Sequence, residues 1–141
     1  MQIAGDEPDL ILVTEVIPKA QVLPIAPALL ALPNYSLYTS FDPTESNLGE
    51  SGRRGIGIYV REALPSCEVH LQATPSMSIE QLWISLDLVS NDKLIVGCVY
   101  MSPSGDRHLG VAELDQALKQ VNNLNPSHLL IAGDFNVPQI D

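Results

Sequence analysis

Hydrophobic residues along this chain come in short runs whose period keeps changing, and each change marks the edge of an element. Residues 10–13 (Leu-Ile-Leu-Val) and 129–132 (Leu-Leu-Ile-Ala) are continuous apolar runs, of the length expected for strands buried on both faces. Each run is closely followed by an acid, Glu15 after the first and Asp134 after the second. Between them, residues 36–40, 55–61, 67–71, 82–88 and 93–100 read as further strands. In 82–88 the alternation is strict, with Leu82, Ile84, Leu86 and Leu88 on one face and Trp83, Ser85 and Asp87 on the other. A turn at Asn91-Asp92 joins the last two strands into a hairpin. The period lengthens to that of a helix where Val111, Leu114, Leu118 and Val121 form one stripe. A second helical stretch, over 20–31, is interrupted by Pro24 and Pro27. Strands outnumbering helices in this order predict an α/β fold, a layered sandwich of mixed β-sheets flanked by helices.

Composition narrows the function more than the fold. A chain of 141 residues with 45% hydrophobic content has one domain's worth of core. Seven Lys and Arg stand against seventeen Asp and Glu, a net charge of −10, which excludes a protein that grips nucleic acid mainly by neutralising its phosphates. Any nucleic-acid chemistry must then run through a metal. Cys67 and Cys98 lack a Cys-x-x-Cys spacing, so they read as buried free thiols of a reducing compartment and not as a zinc site or a disulfide. The weakly charged stretch 16–33 is cut by Pro18, Pro24, Pro27 and Pro33 into pieces too short to span a bilayer, and no signal peptide is recognisable. Residues 42–54 form a turn-rich loop.

The densest chemistry sits at Gly133-Asp134-Phe135-Asn136. Asp134 and Asn136, two positions apart at a strand end, point the same way, while Phe135 turns to the opposite face and anchors the loop in the core. Gly133 permits a close backbone approach or a turn conformation that a Cβ disfavours. A carboxylate and a carboxamide side by side over open space suit a phosphate ester and its attacking water. Glu15, Tyr100, Asp134 and Asn136 each end or follow a predicted strand, where ligands of α/β sheets collect.

Taken singly, each has an ordinary structural explanation. Glu15 reads equally as a solvated acid, Tyr100 as a core-edge tyrosine, and Asp134 with Asn136 as an Asx turn bonding its own backbone. Gly52, Gly55 and Gly57 precede a strand instead of joining a strand to a helix, which excludes dinucleotide binding. Arg53, Arg54 and Arg61 read as rim charges around that loop, with contact to a phosphate backbone as the alternative. His70, His108 and His128 have no metal-ligand spacing.

Residues 8–15, then 55–61, then 82–88 followed by 93–104, and finally 129–141 resemble in order and spacing the endonuclease/exonuclease/phosphatase superfamily. Within it the chain is most similar to the endonuclease domain of non-LTR (LINE-type) retrotransposon polyproteins. Thr14-Glu15-Val16 replaces the Gln-Glu-x-Lys of abasic-site endonucleases, and 133–141 spell the Gly-Asp-Phe-Asn-x-Pro-x-Ile-Asp ending typical of these elements. The resemblance implies metal-assisted phosphodiester hydrolysis, with Glu15 as ligand to Mg²⁺ or Mn²⁺ and Tyr100 contacting the scissile phosphate. It assigns Asp134 to the attacking water and Asn136 to the phosphate or nucleophile. It further implies DNA as partner, a reverse-transcriptase domain downstream in the same polyprotein, and an intracellular, nuclear location away from membranes. It implies no particular oligomeric state.

The departures are as informative. The superfamily begins with a strand bearing an asparagine near the metal, and no asparagine precedes Asn34 here; it ends with an Asp-His pair, and this chain stops seven residues beyond Asp134. The expectation is a single partial domain over 1–141, a fragment or decayed copy. A DNA-nicking endonuclease domain, incomplete here, and a non-catalytic relic with weak metal or partner binding are the two functions left open. A phosphatase or phospholipase relative is a lesser rival, because substrate choice in such a fold lives in loops.

Overall fold

The structure is a computed structural model that describes residues 7–72, 76 and 78–136; the end of the 133–141 motif, from Val137 onward, lies outside them. Strands β1 (Leu10–Thr14), β2 (Tyr35–Thr39) and β3 (Ile56–Arg61) form an antiparallel sheet with β3 at its centre. Strands β4 (Ser66–Glu68), β5 (Ile79–Asp87), β6 (Lys93–Met101) and β7 (His128–Asp134) form a second sheet in the order β4-β5-β6-β7. Its strands are antiparallel except β6 and β7, which run parallel. A tight turn cannot join a parallel pair. Helix α2 (Arg107–Asn122) makes the crossover, its N-terminus capped by Asp106, whose carboxylate accepts from the amides of His108 and Leu109.

Two buried layers hold the stack together. Between the sheets, Ile56, Ile58 and Val60 of β3 pack on Leu82, Ile84 and Leu86 of β5 and on Val96, Cys98 and Tyr100 of β6. On the far face of the second sheet, Trp83 and Ile95 pack against Ala117 and Val121 of α2. The alternation along β5 therefore separates two cores, not core from solvent, and even Ser85 is buried. Gly97, opposite Trp83 in the β5–β6 register, leaves room for the indole, since a Cβ there would lie 2.4 Å from the ring.

Several expectations shift on tertiary grounds. The two apolar runs are not buried on both faces. β1 is only partly buried along its length, and Leu129 and Leu130 of β7 are 39% and 44% exposed, because both strands lie at sheet edges. The helical stripe excludes Val111, which is 53% exposed; Gly110, Ala117 and Val121 are its buried members. The stretch 20–31 keeps one helical turn, α1 (Pro27–Leu30), with proline at its start where the missing N–H does no harm. The strand expected over 67–71 is the shorter β4, although Val69 and Leu71 still pack beside Trp83. The β5–β6 hairpin forms, but the left-handed residues in its turn are Ser90 and Asn91, one position earlier than expected. Cys98 is buried and its thiol is pushed up to about 11 by loss of solvent, whereas Cys67 is exposed on β4, an edge strand. Among the described residues, no helix is long and apolar enough to cross a membrane.

Candidate active site

One end of the stack gathers the polar residues. The β6–β7 register sets Asp134 beside Tyr100, and the β5–β6 register sets Glu80 on Tyr100's other side. Paired residues share a face, so Glu80, Tyr100 and Asp134 form a row across three strands. That face is the one facing the first sheet, because Leu82 and Cys98, two positions along, lie in the core between the sheets. Across from this row, β1 ends at Thr14, and Glu15 follows it. The Tyr100 hydroxyl donates to Glu15 Oε1 at 3.2 Å and ties the two sheets together. Glu15 has a φ of 58°, a left-handed conformation that a side chain with a Cβ adopts at a cost of about 1–2 kcal/mol.

The electrostatics of Tyr100 follow from this placement. Its phenol is held above the ordinary tyrosine range, first by loss of solvent and then by the hydrogen bond to Glu15, with the negative charges of Glu15 and Asp134 adding to the effect. The positive charge of Arg54 opposes them. At neutral pH Tyr100 is therefore a proton donor in a setting rich in carboxylates.

The loop after β7 does not hold its two polar groups over open space. Asp134 Oδ1 accepts from the backbone N–H of Asn136 at 3.0 Å, and the Asn136 amide Nδ2 donates to the Met101 carbonyl at 2.5 Å. This is the Asx turn that the sequence equally permits. Arg107 of α2 adds a bond from Nη2 to the Asn136 carbonyl at 3.1 Å. Asn136 is thus a fastener of the loop, with Asp134 presented at its mouth. Phe135 packs with Ile79, Val99 and Met101, the anchor its position predicts. Gly133 serves its own backbone, not a ligand: at φ 147°, a Cβ would fall 1.9 Å from the Val99 carbonyl oxygen.

Glu80 escaped the sequence reading, and Arg54 was read in another role. Glu80 accepts from the backbone amides of Arg54 and Gly55 at 2.9 and 3.0 Å, spending one oxygen on each. A signal existed, since Glu80 shares the parity of Leu82, Ile84 and Leu86 and so belongs to the buried face. Arg54 is no rim charge, because its Nε and Nη1 are shut off from solvent with no hydrogen-bond partner among the described residues. Arg61 pairs with Asp9 at 3.2 Å, while its Nε, too, is shut off from solvent with no partner among the described residues.

A cavity of about 230 Å³ opens on the β5 side of Tyr100, walled by Ser40, Arg53, Glu80, Gln81 and Ser102. Glu15, Asp134 and Asn136 do not line it, so the cavity adjoins the row without containing it. The donors on offer for a metal are carboxylate oxygens of Glu15 and Asp134. Among the described residues no group of three or more His, Cys, Asp or Glu side chains is placed to hold a metal ion. Hard oxygen donors of small number fit Mg²⁺, which keeps several waters and takes one or two carboxylates besides substrate phosphate.

The profile of the Endonuclease/Exonuclease/phosphatase family matches residues 2–141. No curated protein matches the chain.

Proposed function

Because the chain belongs to the endonuclease/exonuclease/phosphatase family, whose chemistry is metal-dependent phosphodiester hydrolysis, we propose that it is the DNA-nicking endonuclease domain of a non-LTR retrotransposon. The observation that carries the reading is the Tyr100–Glu15 hydrogen bond with Asp134 next to Tyr100 in the sheet, three residues distant in sequence converging at the ends of their strands. Glu15 would hold a Mg²⁺ ion. When bound, that ion polarises a phosphoryl oxygen and offsets the charge of the leaving oxygen. Tyr100, kept protonated, donates to a non-bridging phosphate oxygen in place of Glu15. Asp134 orients the attacking water and accepts its proton, a task suited to a carboxylate whose loop is fixed by Asn136. Asn136 acts here as a positioning residue, since its amide is committed to Met101. A net charge of −10 means DNA is met through the ion and local cations, not through a basic surface.

A non-catalytic fold is the rival reading, and the Asx turn favours it, because that turn gives Asp134 and Asn136 a purely structural occupation. Nicking of supercoiled plasmid with Mg²⁺ decides, using the chain alone and fused to the flanking strands of a complete family member. The chain alone gives the baseline against which the fusion is scored. Chelator-sensitive nicking by the fusion, lowered about 10²- to 10⁴-fold by Asp134→Asn, is the expected result. A fusion that folds and binds Mg²⁺ yet leaves plasmid intact would hand the case to the rival.

A further inference from the structure

The cavity beside Tyr100 extends along an open stretch of β5 that the mechanism above leaves unused. Strand β4 pairs with β5 only at Ile84, Ser85 and Leu86, and the ladder ends where the Val69 N–H donates to the Trp83 carbonyl at 2.8 Å. Beyond that point the chain leaves β5 for α2, where the Gln72 N–H donates to Gln120 Oε1 at 2.7 Å and Gln120 Nε2 donates back to the Gln72 carbonyl at 2.6 Å. The gap so opened is the cavity. It takes in Glu80 and Tyr100 from the face toward the first sheet, and Leu71, Ile79, Gln81 and Glu113 from the face toward α2.

The main chain of β5 supplies part of its polar lining. Trp83 and Asp87 turn their main-chain groups toward β4, the first to Val69 and the second by donating its N–H to the Pro65 carbonyl at 3.1 Å. In an antiparallel strand that direction recurs at every second residue. The N–H and C=O of Ile79 and Gln81 therefore point across the same open edge, with no main-chain partner there among the described residues. Side chains add to them. Gln81 Oε1 accepts from Trp83 Nε1 at 2.8 Å, which leaves the Gln81 amide Nε2 to donate. The Glu113 carboxylate binds the Ser76 hydroxyl through Oε2, and its other oxygen has no partner among the described residues. Sheltered polar groups of this kind call for a ligand that brings both donors and acceptors.

Size and charge select the occupant. About 230 Å³ is many times the roughly 30 Å³ share of one water and below the roughly 300–1,000 Å³ of pockets for drug-sized ligands, so one small ring system fits. A phosphate is the poorer occupant, because the carboxylates of Glu80 and Glu113 share the wall with Arg53 as the one cation among the described lining residues. A flat heteroaromatic base uses Leu71 and Ile79 as apolar flanks and the strand edge as its hydrogen-bonding side. Guanine is the base with two adjacent donors, N1–H and the N2 amino group, on its Watson–Crick edge, the pattern that a carboxylate oxygen and a carbonyl accept together.

Resting on the hydrolase reading, in which the phosphate lies at Tyr100, we propose that this cavity receives an unstacked guanine of the strand being cut, with Glu113 and the open main chain at Ile79 and Gln81 as its specificity-determining groups. Tyr100 is part of the cavity wall, so base and phosphate sit as neighbours, as they do within one nucleotide. The pocket has no room for a base pair. The guanine must leave its stack, at least cost from single-stranded or distorted DNA.

The test titrates the wild-type chain with 2′-deoxyguanosine and, in parallel, with deoxyadenosine, deoxycytidine, thymidine and deoxyinosine, all without divalent ions. Calorimetry reads binding, and the emission of Trp83, the single tryptophan, reads its place, since the indole is bonded to Gln81. Deoxyguanosine should bind saturably and shift the emission. Deoxyinosine, which lacks the N2 amino group, should bind about 10-fold more weakly, and the other three about 10- to 100-fold more weakly. Glu113→Gln, which sets a donor beside the remaining oxygen, should abolish the preference for deoxyguanosine over deoxyinosine. No saturable heat with deoxyguanosine, or equal binding of all five nucleosides, overturns the proposal in the wild-type protein. Nicking of plasmid is scored separately: guanine binding without nicking by the fusion sinks the hydrolase reading alone, and nicking without guanine binding sinks the pocket alone.

Discussion

At the scale of single residues, the site is assembled from groups held in conformations they do not prefer. Glu15 at φ 58° and Asn136 at φ 44° both lie in the left-handed region, which asparagine tolerates and glutamate does not. Strain of this kind persists where the surroundings fix it, and at Glu15 the surroundings are the Tyr100 hydroxyl and the Val16 and Ile17 amides that bind the 54–55 segment. Glu15→Gln keeps an acceptor for Tyr100 while removing the charge. Calorimetric titration should therefore find weak Mg²⁺ binding in the parent and none in the variant, with melting temperatures that agree; equal binding by the two proteins would remove Glu15 as the ligand. Three of the four site residues named from the sequence, Glu15, Tyr100 and Asp134, do converge, because each ends or follows a strand and the strand ends share one edge. Asn136 was legible by position but not by occupation, since its Met101 partner lies on another strand. Arg54 was legible as a loop arginine but not as a shielded one, because burial of a guanidinium depends on what packs over it.

At the scale of elements, close backbone contact explains why β6 and β7 run together as they do. The Gly133 position abuts the Val99 carbonyl so tightly that a methyl group has nowhere to go, and that contact sits one residue from Asp134. Gly133→Ala combines a disfavoured φ with backbone overlap, and it should destabilise the fold by about 3 kcal/mol or more. Urea unfolding would measure the loss, and a change below about 1 kcal/mol would mean that the β7 end moves aside freely. Elements were read well wherever the period was clear, as in β5 and in the hairpin. They were read less well where a run of four apolar residues could not say whether it lay at an edge. Such a run fixes propensity, whereas burial depends on how many neighbours the strand acquires.

At the scale of the whole molecule, the strands built on the runs 10–13 and 129–132 occupy sheet edges. β1 borders the first sheet and β7 the second, each with one hydrogen-bonded neighbour among the described residues, and Leu129 and Leu130 stand exposed on β7. Open apolar edges invite pairing with other copies, while a charge of −10 opposes it. The balance should tip with ionic strength. Sedimentation is expected to show association that grows as salt screens the charge, and Leu130→Lys should reduce it. A monodisperse, cooperatively melting monomer at every salt concentration would show that these edges need no cover. The sequence by itself determined the order of strands, the family and the position of the acids at strand ends, because periodicity and local motifs are properties of neighbouring residues. Only the tertiary structure decided that Tyr100 bridges to Glu15, that Glu80 holds the main chain at Arg54 and that the runs 10–13 and 129–132 lie outermost. Those facts depend on which strands become neighbours, a choice made by the packing of two sheets and a helix that no short stretch of sequence encodes.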